Sequence, residues 1–325
     1  KYPCRFGLTS ASAHRPLIDK PLVPRNAPPN RKMLIPRSAR FMPLEEQTIA
    51  EALRAQGYRT GFIGKWHLGH DEEYWPEYQG FDVNIGGGRW PGPPSYFDPY
   101  RISKLPDESE GEYLTDRLSR EALKFVEEYH GEPFFLCYWH YGVHAPFQSK
   151  EELRQDFLGK KDPRAAQDCA IMAGMIKSVD KSIGQLLDKL DELEITDDTI
   201  LIFFSDNGGN MYDRIGPDGK GVPRDGQSGR YPTNNAPLRS GKASIYEGGI
   251  RVPMMVCWPG VTKPDTLCRQ PVCSIDFYPT LLDMLGINRP AGQTLDGVSI
   301  GPLLKRERQT LNREVLFFHY PHHIP

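Results

Sequence analysis

Four polar stretches of this sequence hold side chains able to act on an anion. They are Lys65 and His67 in GFIGKWHLGH (61–70), His144 in HYGVHAPF (140–147), Asp206 and Asn207 in SDNGG (205–209), and Lys242 in LRSGKASIYEGGIRVP (238–253). If strand conformation persists through KWH, Lys65 and His67 point to the same side, and Gly64 and Gly69 let the backbone approach a ligand closely. A rim lysine beside a histidine satisfied by a nearby carbonyl is the other reading. Adjacent carboxylate and amide oxygens at Asp206 and Asn207 suit calcium or magnesium, which take oxygen ligands. Asp-Asn-Gly is also ordinary turn chemistry, the commoner reading when such a stretch is taken alone. Two ligands do not complete a shell of six or more.

His140 and His144 have the spacing of a helical zinc pair, but Gly142 and Pro146 oppose a helix and no glutamate stands between them. A single histidine acting as general acid, His144, fits better. Lys242 lies in a glycine-bounded turn followed by Glu247, Gly248, Gly249 and Arg251. That loop suits an anionic substrate, and equally a solvated surface. Together the groups supply two lysines, two histidines and oxygen donors for a divalent cation. They point to hydrolysis or transfer of a sulfuryl or phosphoryl group.

Something must bring these stretches together, and the hydrophobic pattern says what. EEQTIAEALRAQGY (45–58) gives a helix with Ile49, Ala52 and Leu53 on one face, closed by Gly57. RTGFIG follows as a strand. A helix near 115–129 leads into the strand run PFFLCYW, and a long helix near 165–193 carries Met172, Ile176, Val179, Ile183, Leu186, Leu190 and Leu193 as its core face. TILIFF reads as a fully buried strand entering the Asp206 turn. VPMMVCW and EVLFFHY read as further strands, with the helix FYPTLLDMLGI between them. Strands that are continuous apolar runs, alternating with helices, predict an α/β fold. Its sheet is mostly parallel, with helices on both faces. In such folds ligands bind beyond the carboxyl ends of the strands, and Lys65, His67, His144, Asp206 and Asn207 each follow one.

At 325 residues the chain can bury a sizeable core and reads as a single domain over 1–325. Charge is balanced, 40 basic against 42 acidic residues, so no global field favours nucleic acid. With 38% hydrophobic residues and no run long enough to span a bilayer, no membrane segment is expected. The six cysteines form no CxxC pair, which argues against a structural zinc site. Cys268 and Cys273 are close enough for either a local disulfide or two free thiols. Residues 7 to 43, rich in Pro, Arg and Asn, read as a long surface segment, and the Gly/Pro/aromatic stretch 82–100 as a loop whose glycines match no nucleotide-binding spacing.

The order of motifs resembles type I sulfatases, the arylsulfatase A-like branch of the alkaline phosphatase superfamily. The matching stretches are KYPCRFGLT (1–9), GYRTGFIGKWHLG (57–69), GFDVNIGG (80–87), HYGVHAPF, SDNGG, NNAPLRSGKASIYEGGIRVP (234–253), WPG (258–260) and DFYPTLLDMLGI (276–287), covering nearly the whole chain. The resemblance implies an alkaline phosphatase-like fold, a calcium site (magnesium less so) containing Asp206 and Asn207, and sulfate held by Lys65 and Lys242. It implies His144, or Lys242 beside it, as acid toward the leaving alcohol, and His67 as base for the second step. The nucleophile would be a formylglycine. KYPCRF matches a segment downstream of the formylglycine signature, so Cys4 is not the nucleophile. That residue, its arginine and two aspartate ligands are expected before Lys1, and a small C-terminal subdomain after Pro325. The 1–325 chain alone is accordingly expected to be inactive. Ala243 departs from the family, where glycine commonly follows this lysine.

By the same resemblance the activity is sulfuric ester hydrolysis of a small-molecule or glycan sulfate, a carbohydrate being preferred, in a secreted, periplasmic or lysosomal setting. His319 and His322 are placed at the substrate entrance, beside the reading that a terminal histidine cluster is solvated. Two alternatives stand: a phosphodiesterase or phosphonate hydrolase of the same superfamily, and a non-catalytic binder of sulfated glycans.

Overall fold

The computed structural model describes residues 1–9, 38–160, 162–164, 167–216 and 229–321. His322 and most of the 7–43 segment lie outside them. The predicted first helix is α1, Ile49–Arg54, started by a capping box. In it Glu51 N–H donates to Thr48 Oγ1 (3.0 Å) and Thr48 N–H donates to the Glu51 carboxylate (2.7 Å). Its buried face is Ala50, Ala52 and Leu53, one position off the expected stripe at Ile49. Gly57, in the left-handed region at φ 85°, turns the chain into β1, Arg59–Gly64.

β1 is the centre of a parallel sheet of order β2-β1-β3, flanked by β2, Val83–Ile85, and β3, Phe134–Trp139. Consecutive β1 residues serve opposite faces, as strand geometry requires. Ile63 joins a core with Leu114, Leu118, Ala122, Phe125 and Val126 of α2, Leu114–Tyr129. Phe62 joins a second core with Ala50, Trp66, Trp75 and Phe81. A strand buried on both faces must be apolar at every position, which is why RTGFIG reads as an unbroken run.

After a short α3, Glu151–Gln155, comes the long helix α4, Ala170–Glu192, which starts later than expected. Of its expected core face, Met172 and Leu190 are in the main core and Leu186 and Leu193 pack on it, but the inward face also takes in small polar residues. Met172, Gly174, Met175, Ser178, Ser182 and Leu190 are buried, whereas Ile176 is 52% exposed. Small serines let α4 approach α2 and β3 closely, and their hydroxyls find partners. Ser178 donates to Gly174 O (3.2 Å), and Ser182 bonds the Tyr138 hydroxyl. An apolar-only pattern search passes over such a face.

β4, Leu201–Phe204, pairs antiparallel with β5, Met254–Cys257, as a separate two-stranded sheet. The expected fully buried strand is therefore half-covered. Phe204 packs edge-on against Phe277 at 4.9 Å, while Phe203 and Met255 remain 37% and 61% exposed. Between them lies the single turn α5, Glu247–Ile250; α6, Phe277–Met284, and α7, Gly301–Leu304, follow. The predicted last strand, EVLFFHY, does not form. Among the described residues, 315–320 have no ladder partner, and the segment is tied instead by the Phe317 N–H donating to the Tyr2 hydroxyl (3.1 Å). β-propensity alone, without a paired neighbour, makes no strand. All six cysteines are free thiols, Cys268 and Cys273 included. Among the described residues no helix is long and apolar enough to cross a membrane.

Candidate active site

Lys65 is aimed by the junction of β1 and β3. Gly64 has φ 114°, and a Cβ there would fall 1.8 Å from Trp139 O, so only glycine lets the two backbones meet. The Lys65 N–H then donates to Trp139 O (2.8 Å), extending the ladder one residue past the strand end. The strand does not run through KWH. It stops at Gly64, and His67 takes a left-handed φ of 60° with its N–H on Gly88 O (3.0 Å). Strand alternation therefore does not turn Lys65 and His67 to one side.

His144 sits in the loop after β3, held by two buried tyrosines. The Tyr96 hydroxyl reaches Tyr141 O (2.7 Å) and His144 O (2.9 Å), and the Tyr141 hydroxyl donates to Gly86 O (2.9 Å). The His144 Nδ1 lies 2.9 Å from Ala145 O. Since a carbonyl only accepts, Nδ1 carries a proton, and the neutral ring keeps its lone pair at Nε2. His140 belongs elsewhere. Its ring packs 4.2 Å from Tyr138, and its Nδ1 is closed off from water without a hydrogen-bond partner. No metal pair joins these two histidines.

The Asp206 turn and the Lys242 turn are knotted together. Lys242 N–H donates to Gly209 O (3.0 Å), Gly208 N–H donates to Gly249 O (3.0 Å), and the Asn235 side chain bonds both Gly209 N–H and Gly209 O. A Cβ on Gly208 would lie 1.7 Å from Gly248 O, so the contact admits no side chain. Asn235 was not singled out in the sequence, although the NN of NNAPLRSGK was a visible polar signal. Asp213 was missed too; its carboxylate acts on Lys242.

Electrostatics shows what these tethers bring together. Burial pushes the Lys65 ammonium below its ordinary range, opposed by Asp206. Lys242 falls to about 8 through burial first and the Lys65 charge second, with Asp206 and Asp213 opposing. His144 falls to about 4 through burial, then the charge of Lys242, with Lys65 adding and the Ala145 bond and Asp206 opposing. Lys65, His144, Asp206 and Lys242 thus share one neighbourhood: two cations, a neutral imidazole and one carboxylate. His319 is exposed on the C-terminal segment.

Asn207 Nδ2 donates to Gly208 O (2.9 Å), leaving Oδ1 as the side chain's open acceptor beside Asp206. Two hard oxygen donors suit calcium or magnesium in kind. Among the described residues no group of three or more His, Cys, Asp or Glu is placed to hold a metal ion.

A sulfatase family model matches residues 26–287. Human N-acetylgalactosamine-6-sulfatase is 29% identical over 300 residues, covering 85% of this chain and 52% of the relative. Rat steryl-sulfatase is also 29% identical, covering 88% and 59%. Among solved structures, Ps i-CgsB in complex with k-i-k-neocarrahexaose superposes with a TM-score of 0.67 at 31% identity, over 81% of this chain and 58% of that one. The chain spans between half and three-fifths of the length of these curated relatives.

Proposed function

The chain belongs to the sulfatase family, and on that premise we propose that its site binds and hydrolyses the sulfate ester of a carbohydrate. The observation that carries this is the pair of crowded lysines. Two ammonium groups held in a partly desolvated cleft, each lowered by burial and offset by Asp206, lack negative charge that a sulfate would supply. Lys65 and Lys242 hold the non-bridging oxygens as charge builds on them. With a pKa of about 8, Lys242 keeps its proton at neutral pH yet can release it, so it suits the acid toward the leaving oxygen. His144, neutral above about 4, accepts a hydrogen bond at Nε2 and does not serve as the acid in the resting site. We assign the base of the second step to His67 and the nucleophile to a formylglycine upstream of Lys1. Asp206 and Asn207 would hold a calcium ion, which would neutralise charge on the sulfate. The carbohydrate preference draws on the sugar sulfatase and the carrageenan-oligosaccharide complex among the similar proteins. A secreted, periplasmic or lysosomal location is proposed on the same family grounds.

The test is turnover by the complete protein carrying this chain, given an aryl sulfate and the matching aryl phosphate. Sulfate hydrolysis, cut roughly a hundredfold or more by Lys65→Ala or Lys242→Ala, is expected. Preference for the phosphate, or near-normal rates in both variants, overturns the proposal.

A further inference from the structure

A cavity of about 410 Å³ opens between His70, Arg89, Trp90 and the Pro91–Pro94 turn, within the size range of small-ligand sites. It shares walls with the groups assigned to chemistry. Gly88, the residue before Arg89, accepts the His67 N–H, and His70 is three residues past His67. On the other side, Gly92 lies against the His144 ring, since a Cβ there would come within 2.4 Å of Nδ1. His144, on which the Lys242 and Lys65 charges both act, thus borders this cavity.

The lining has a definite chemistry. The Arg89 guanidinium sits 4.9 Å from the centroid of the Trp90 ring, and among the described residues no carboxylate pairs with it. Other arginines of the chain, such as Arg59, Arg117 and Arg120, have acidic partners. Trp90 packs on the main core, which holds its indole in place. His70 Nδ1 bonds the Asp71 carboxylate (2.7 Å), which leaves Nε2 as the ring's free polar atom for a sugar hydroxyl. Three prolines fix the turn, so the cavity is formed before a ligand arrives. A flat ring stacks on C–H faces, and an unpaired guanidinium grips a carboxylate or sulfate by two parallel hydrogen bonds.

We infer that this cavity is a subsite for a pyranose unit carrying a second anionic group, a uronate carboxylate or a second sulfate, so that the substrate is a polyanionic oligosaccharide. Arg89 binds the anion, Trp90 stacks on the ring and His70 hydrogen-bonds a sugar hydroxyl. This deepens the reading that Lys65 and Lys242 cradle the scissile sulfate and rests on it.

The experiment compares kcat/KM of the complete protein for four substrates: an aryl sulfate, a monosulfated disaccharide, the same disaccharide with an adjoining uronate, and the same with a second sulfate. Variants are Arg89→Ala, Arg89→Lys and Trp90→Phe. In Arg89→Ala the ratio of kcat/KM for a doubly anionic saccharide to that for the aryl sulfate falls by about tenfold or more, mostly through KM, as loss of a charge-assisted bond predicts. Arg89→Lys recovers part of it, and Trp90→Phe weakens all three saccharides. The anion whose ratio falls further identifies the natural substituent. An unchanged ratio, with the aryl sulfate still hydrolysed, overturns the subsite alone. Wild-type protein hydrolysing none of the four sulfates overturns the cradle and the subsite with it.

Discussion

Replacing Lys242 separates charge from proton donation. The side chain sits at about 8 because burial and Lys65 both act against its charge, while Asp206 and Asp213 act for it. With that value roughly nine in ten molecules hold the proton at pH 7 and about one in ten at pH 9. An acid that must be protonated gives activity below its pKa and loses it above, so kcat/KM should fall tenfold per unit above about pH 8. Lys242→Arg keeps a cation that stays charged throughout. If the lysine donates the proton, this variant loses turnover by roughly a hundredfold, and its alkaline limb from Lys242 vanishes. Lys242→Met removes the charge as well. It should cost about 3–4 kcal/mol of transition-state stabilisation, and any residual alkaline limb should move upward, because Lys65 has lost a like charge beside it. Stopped or continuous assays with an aryl sulfate from pH 6 to 10 read all three profiles. An Arg variant with wild-type rate and an unchanged limb near pH 8 would refute the assignment.

Three other perturbations test the scaffold beneath the site. Gly64→Ala forces a Cβ onto Trp139 O at a φ of 114°; it should destabilise by more than about 2 kcal/mol and displace Lys65, read as a lower urea midpoint together with reduced turnover. Ala243 holds φ 68°, a conformation glycine adopts freely. Ala243→Gly should therefore raise unfolding free energy by about 0.5–1 kcal/mol, and a lower midpoint would contradict the argument. Burial holds both His140 and His144 at about 4 against an ordinary value near 6.5. The unfolded chain then binds more protons between those values, so stability present above about pH 6.5 drains away as pH falls toward 4. His140→Asn should flatten that decline in urea titrations at pH 7 and 4.5, and an equal decline in both proteins would count against it.

The parts legible in the sequence were those fixed by short-range pattern. The Thr48–Glu51 capping box, the doubly buried β1 and the polar groups beyond strand ends all follow from local residue order. What was not legible depends on partners. Ile176 looks like core and is exposed, while Ser178 and Ser182 take buried positions on the same helix. EVLFFHY has every mark of a strand and joins no sheet among the described residues. TILIFF is apolar throughout, yet among the described residues pairs only with β5 and leaves Phe203 37% exposed. At the site, the residue types at 65, 144, 206 and 242 could be read, but not that Asn235 staples two turns, nor that Arg89 is left without an acidic partner among the described residues. Those are facts of contact across more than twenty residues of chain.

KWH does not continue the strand as its residue order suggests, and the reason bears on how the site is built. Strand continuation would have let Lys65 and His67 share a face at no conformational cost. Instead the chain leaves the sheet at Gly64, and non-glycine residues take left-handed backbone at His67, Ser240 and Ala243, all within or beside the two lysine turns. Each such residue costs on the order of 1 kcal/mol. Like-charged Lys65 and Lys242 add repulsion that Asp206 and Asp213 only partly offset. A region optimised for folding alone would carry none of these. They are tolerated because backbone tethers from Gly209, Gly249 and Trp139 over-determine the turns, and because an anionic ligand between the ammonium groups relieves the repulsion. Ligand binding should then raise stability more than a neutral pocket of equal size would. Thermal denaturation with inorganic sulfate, wild type against Lys242→Met, measures that difference. An equal shift in both would mean that the lysines hold strain without using it.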